Sequence, residues 1–266
     1  MIEINDKDKA LIVSGQVDKV YKDYLGARNR IFGDLQKSKN LLFENVKITG
    51  GGLADTKYAY GFRIGYSGQP DLACDGVYFD NVDISGFGPP SSNYNSFNRD
   101  GVAVERANKN ILVKNSRFDG FTDACWDCKS NVQFQHCLFR DAYRLQRVWS
   151  GVTNIYSDCT FELASTTNKF FWIDGPTANV ILYNCKFTVD GNYVLDSFPG
   201  TYVDLDNGAT LAQIKTVTSN PLTDPFFNDN DLETRVKHLE DLVQILGNDI
   251  DVIVPRLQEL ERWRKS

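Results

Sequence analysis

The chain has 266 residues, 42% of them hydrophobic, enough for one large domain with an appendage. Its net charge is −6 with a pI near 5.0 and no basic stripe, which argues against nucleic acid or an anionic membrane as partner. No run approaches the roughly 18 apolar residues of a membrane span, so membrane insertion is not expected.

The first residues, MIEINDKDKALIV, are polar and acidic and do not read as a signal peptide. The chain is therefore expected to fold where it is made. One Met against 17 Phe and 12 Tyr points to strands rather than helices. Val17, Val20, Tyr21, Tyr24 and Leu25 nonetheless fall at helical spacing. Residues 1–39 are read as an N-terminal cap whose short amphipathic helix covers an otherwise open sheet edge.

Residues 40–219 carry a repeat. LLFENVKI (41–48), VYFDNVDI (77–84), ILVKNSRF (111–118), VQFQHCLF (132–139), NIYSDCTF (154–161) and VILYNCKF (180–187) align residue for residue. Each is an alternating strand, a polar hinge and a second short strand. The hinge column reads Asn45, Asn81, Asn115, His136, Asp158, Asn184, and the next column Val46, Val82, Ser116, Cys137, Cys159, Cys185. A hinge that turns through the left-handed region favours Asn, and stacked amides can bond one another along a ladder. Ser and Cys are small enough to face inwards after it. Third strands are predicted at 60–66, 101–105, 124–128, 144–149, 169–174 and 192–198. A period near 22 residues built of three short strands makes a β-solenoid, with like residues about 4.8 Å apart along its axis.

The stretch DACWDCKSNVQFQHCLF (123–139) holds a C-x-x-C and a histidine, half of a zinc or thiol redox centre. The repeat gives it a plainer reading. Cys125 and Cys128, three apart on a strand, point to opposite faces and cannot chelate one ion together. Cys137, Cys159 and Cys185 stand in an inward column too widely spaced for disulfides. Free thiols are expected, with no metal and no cofactor.

Residues 220–230, rich in Pro, Asp and Asn, read as a linker, and 231–266 as a helical oligomerisation segment. Leu232, Val236, Leu239, Val243, Leu246, Ile250, Ile253, Leu257 and Leu260 keep a strict 4-3 spacing, interrupted by Gly247-Asn248 and Pro255. That seam serves either a self-associating bundle or helices folded back on the solenoid; the first is preferred. The mixture of β-branched residues and Leu leaves dimer and trimer open.

With three strands per turn and loops of varying length, residues 40 to 200 resemble the pectate-lyase-like superfamily. The resemblance implies an all-β fold, a right-handed three-sheet parallel β-helix. NRDGVAV (98–104) and TDACWDCKS (122–130) also resemble two polygalacturonase motifs, N-T-D-G-I-D-I and D-D-C-I-A-I-K-S. The likeness puts Asp100 and Asp123 on adjacent turns as candidate acid and base, the carboxylate pair that glycoside hydrolysis requires. Glu105 and Asp127 face outwards in the same register, with Arg147 on the following turn. The chain departs from the pattern at Ala124, where the family has a second Asp, and it lacks the family's G-H-G and R-I-K. Acids at solenoid turns also serve simply as loop formers and a solvated rim.

Trp126, Trp149 and Trp172 occupy successive third strands. By parity Trp126 faces inwards with Cys128, while Trp172 faces outwards with Asp174 and Phe170. Flat rings beside carboxylates and arginines suit a sugar, so Arg147, Trp149, Trp172 and Asp174 are candidate substrate-binding residues. An ordinary core or interface role would account for any one Trp. A β-helix with an oligomerising helix resembles phage tailspike, fibre and other virion proteins, which are commonly trimeric. The expectation is therefore a homo-oligomeric virion protein made in a host cytoplasm, either structural or recognising a surface polysaccharide and docked to other virion proteins. The alternative is a polysaccharide hydrolase or lyase using the same carboxylates.

Overall fold

The structure is a computed structural model that describes residues 2–4, 11–17, 29–50, 58–91, 97–193, 200–224 and 226. The chain divides into two units, Met1–Leu222 and Thr223–Ser266. The first is all-β; among its described residues the helices are 3-10 turns of three residues. The heptad seam at 231–266 lies outside the described residues.

In chain order the strands are β1 (Ile2–Ile4), β2 (Leu11–Val17), β3 (Asn29–Leu35), β4 (Lys39–Thr49), β5 (Tyr58–Ile64), β6 (Asp75–Asp80) and β7 (Asp83–Ser85). There follow β8 (Asn98–Val104), β9 (Lys109–Lys114), β10 (Arg117–Cys128), β11 (Val132–Gln135), β12 (Leu138–Val148) and β13 (Thr153–Ser157). The last are β14 (Thr160–Leu163), β15 (Lys169–Asp174), β16 (Asn179–Tyr183), β17 (Lys186–Val189), β18 (Asn192–Tyr193), β19 (Val203–Asp206) and β20 (Ile214–Thr216). Pairing sorts them into three parallel stacks. Strands before the hinge form the first, from β2 through β4, β6, β9, β11, β13 and β16 to β20. Segments after the hinge form the second, through β4, β7, β10, β12, β14 and β17. The third runs β1, β3, β5, β8, β10, β12, β15, β19. This is a parallel β-helix.

The hinge column accounts for the coiling. Asn45, Asn81, Asn115, His136, Asp158 and Asn184 all have φ between 49° and 55°. Left-handed backbone costs most side chains about 1–2 kcal/mol and Asn rather less, which explains the residue types. The amide ladder is interrupted. Asn81 donates to Asn45 at 2.7 Å and Asn184 to Asp158 at 2.5 Å, but Asn115 turns to Asp80 at 3.0 Å. One residue on, Ser116, Cys137, Cys159 and Cys185 each bond the carbonyl two residues back, at 2.7 to 3.4 Å. Small donors thus satisfy backbone acceptors at the corner.

Inward positions stack into an aromatic core. Phe118, Phe139, Phe161 and Phe187 form one column at 5.0 to 5.6 Å, and Phe134 lies over Tyr156 at 4.8 Å. Each such ring removed from water contributes roughly 1.5–3 kcal/mol.

Four expectations change in detail. Strands β1 to β3 already belong to the stacks, so sheet pairing begins ahead of residue 40. Val17 ends a strand, and Val20, Tyr21, Tyr24 and Leu25 lie outside the described residues, so the capping helix is not shown. Residues 192–198 supply no third-sheet strand among the described ones. Asp190 and Gly191 turn with positive φ and fold Asn192–Tyr193 back antiparallel on Thr188–Val189, leaving the third stack to β19. Finally, Cys125 and Phe170 are core residues rather than outward ones. Strict alternation fails at both: a register shift between Phe121 and Ala124 breaks it in β10, and Phe170 packs on Phe187 at 5.0 Å from the start of its strand.

Candidate functional site

The outer face of the third sheet carries a ladder of charge. Asp34, Arg63, Ala103, Asp127, Arg147, Trp172 and Asp204 lie in one register from strand to strand. Arg63 bridges back to Asp34 through both guanidinium and carboxylate. Inward neighbours Val102, Val104, Cys128, Val148, Phe171 and Ile173 fill the core, so alternation sends the charged set outwards.

The register shift in β10 is the local origin of the site. At the bulge the Ala124 N–H donates to the Asp100 side chain, to Oδ1 at 3.0 Å. Gly101 permits the approach: a Cβ there would lie 2.6 Å from the Cys125 carbonyl oxygen. The bulge buries Asp123 completely. Arg147 donates to Asp123 Oδ2 at 2.8 Å and lies 3.7 Å from Asp127, while Arg144 lies 3.8 Å from Asp123 and 3.2 Å from Asp204. Lys129 bridges Glu105 at 3.0 Å and Asp127 at 3.4 Å.

Two tryptophans close this network. Trp149 and Trp172 meet edge to face at 5.0 Å. Their indole N–H groups donate to Asp127 and Asp206, each at 2.5 Å. The Arg147 guanidinium lies 5.4 Å and 5.0 Å from the two ring centres. Trp149 is half-buried and Trp172 is 7% exposed.

Burial governs the electrostatics. It pushes Asp100 well above the usual carboxylate range, helped by Asp123 and Asp127 and opposed by Arg147. Burial also raises Asp123, against the pull of Arg147. Tyr60 is raised by burial and by Asp100, Asp127 and Glu105, so its phenol stays protonated. Lys129, which burial would lower, is raised by Asp127 and Glu105.

Of the residues singled out in the sequence, Asp123, Asp127, Arg147, Trp149 and Trp172 share one network, joined to Glu105 through Lys129. Asp100 bonds Ala124, the residue after Asp123, and neither Asp100 nor Asp123 opens to solvent. Asp174 stands in register with Asp206 and accepts from Asn207 at 2.5 Å. Trp126 lies in the core with Cys128. Lys129, Arg144, Asp204 and Asp206 belong to the same face but were not read from the sequence. The alternation of VDLD (203–206) would have exposed the last two; Arg144 is hidden because alternation fails within β12, where Leu145 and Gln146 are both buried and Arg144 does not share the inward side of Gln146.

All six cysteines are free, and all but Cys185 are buried. Cys125 Sγ bonds the Phe118 and Arg140 carbonyls at 3.6 Å, while burial pushes Cys125 and Cys128 up. Neutral thiols of this kind are poor nucleophiles.

No protein-family model matches the chain, and no curated protein matches it. Among solved structures it is similar to QnrB1, a plasmid-mediated fluoroquinolone resistance protein, at 14% identity over 79% of this chain and 92% of that one, with a TM-score of 0.19. A likeness at that score carries no argument about fold or function.

Proposed function

We propose that the chain is an oligomeric β-helix that recognises a surface polysaccharide on the outer face of its third sheet, without cleaving it. The observation that carries this reading is the Trp149–Trp172 pair, held by indole bonds to Asp127 and Asp206 and flanked by Arg147. Rings already fixed in place lose little freedom on binding, and stacking with polar contacts is how proteins commonly hold sugars. Successive coils repeat the face about every 4.8 Å along the axis, which suits an extended chain better than a compact ligand. The setting in a virion, with assembly through 231–266, rests on the resemblance drawn from the sequence.

Recognition is favoured over hydrolysis because both motif carboxyls are committed. Asp100 completes the bulge and Asp123 is buried under Arg147, whereas cleavage needs both at the scissile bond. One feature favours the enzyme as a second reading: burial pushes Asp100 well above the usual carboxylate range while Asp123 stands beside it, the arrangement of an acid and its partner.

Calorimetric titration with a panel of neutral, amino-bearing and uronate-rich polysaccharides, alongside a reducing-end assay, separates the two. Binding without turnover is expected, lost in the Trp149→Ala, Trp172→Ala double variant. Turnover abolished by Asp100→Asn and Asp123→Asn would sink the recognition reading.

A further inference from the structure

The cations that flank the two tryptophans are already engaged. Arg144 faces Asp123 and Asp204, Arg147 faces Asp123 and Asp127, Lys129 faces Glu105 and Asp127, and Lys169 lies 4.0 Å from Asp204. The acids are not all engaged in return. Asp174 accepts from the Asn207 amide and Asp206 from the Trp172 indole, both neutral donors. These two carboxylates stand in register on neighbouring strands, where like charges oppose each other. Among the described residues neither meets a cation.

A face whose positive groups are spent and whose leftover groups are carboxylate oxygens repels an anion. A uronate or sulfate would have to break existing ion pairs to find a partner, in a partly desolvated site where charges interact strongly. A hydroxyl or an ammonium finds the Asp174 and Asp206 oxygens as acceptors, and an ammonium gains charge-assisted bonds as well.

Resting on the glycan-binding reading, we propose that the ligand of this face carries no anionic group and that an amino-bearing sugar is held best, its ammonium against Asp174 and Asp206 beside Trp172. This runs against the acidic substrates that the polygalacturonase-like motifs would suggest. Arg106, in the turn beyond the strands, bonds the Ser150 carbonyl at 3.4 Å and among the described residues faces no carboxylate, so it is the control for an anionic ligand.

The test is an array of neutral, amino-bearing and uronate- or sulfate-bearing saccharides probed with the full chain. Neutral and amino-bearing sugars are expected to bind, the amino-bearing more tightly and with affinity that falls as salt rises. The Asp174→Asn, Asp206→Asn double variant should weaken amino-bearing ligands about tenfold and leave neutral ones little changed. Uronate or sulfate binding equal to neutral binding overturns the charge rule, above all if Arg106→Gln removes it. Amino-bearing sugars held no better than neutral ones overturn the role of Asp174 and Asp206. Binding to no saccharide of any charge overturns the glycan reading itself.

Discussion

Asp100 lies in a D-G pair whose resemblance to a catalytic motif has a structural source as well. Its Oδ1 accepts from the Ala124 N–H, and Gly101 leaves room for the strand that bulges past it. Burial raises Asp100 in the folded chain above its unfolded value, so folding tightens its hold on the proton. The sign follows: its stabilisation is full below the unfolded value of about 3.9 and is lost as pH climbs towards the folded one. Asp100→Asn keeps an acceptor for Ala124 and cannot ionise. Its melting temperature should exceed that of the parent by a margin that widens from about pH 4 to about pH 7. Asp100→Ala leaves the N–H unpaired and should cost about 1–3 kcal/mol in urea unfolding. A margin that shrinks with rising pH would mean that Asp100 is comfortably ionised in the fold.

At the scale of the element, the hinge between first- and second-sheet strands was legible because backbone geometry restricts residue type. A φ near +50° selects Asn, Asp or Gly, and the selection recurs every coil. Asn81→Val should therefore cost about 1–2 kcal/mol more than Asn81→Gly, and His136→Gly should raise stability, both read from denaturant midpoints. Equal costs for Val and Gly would show that another interaction, such as the Asn45 bond, dominates the hinge. The bulge in β10 left no such mark. It is set by how Gly101, Asp100 and Arg147 from neighbouring coils meet Ala124 and Asp123, none of which follows from the period of one strand. Parity counting therefore placed Trp126 in the core, as found, but sent Cys125 and Phe170 to the wrong side.

For the whole molecule, the outstanding expectation concerns assembly. Light scattering should give the intact chain a mass of more than one 30.1 kDa copy, and a chain ending before Asn228 the mass of one. A monomeric intact chain would remove the seam at 231–266 as an oligomerising element. The sequence by itself determined the coil: residue types that tolerate a left-handed hinge, small inward donors after it, and aromatic positions that recur along the chain. Each of those is a local requirement repeated in every turn, so one chain read linearly displays it several times. Tertiary structure alone decided which charges meet. Asp123 with Arg147, Arg144 with Asp204, and Asp174 facing Asp206 are contacts between coils separated by loops of unequal length, so the period of no single strand assigns the partners.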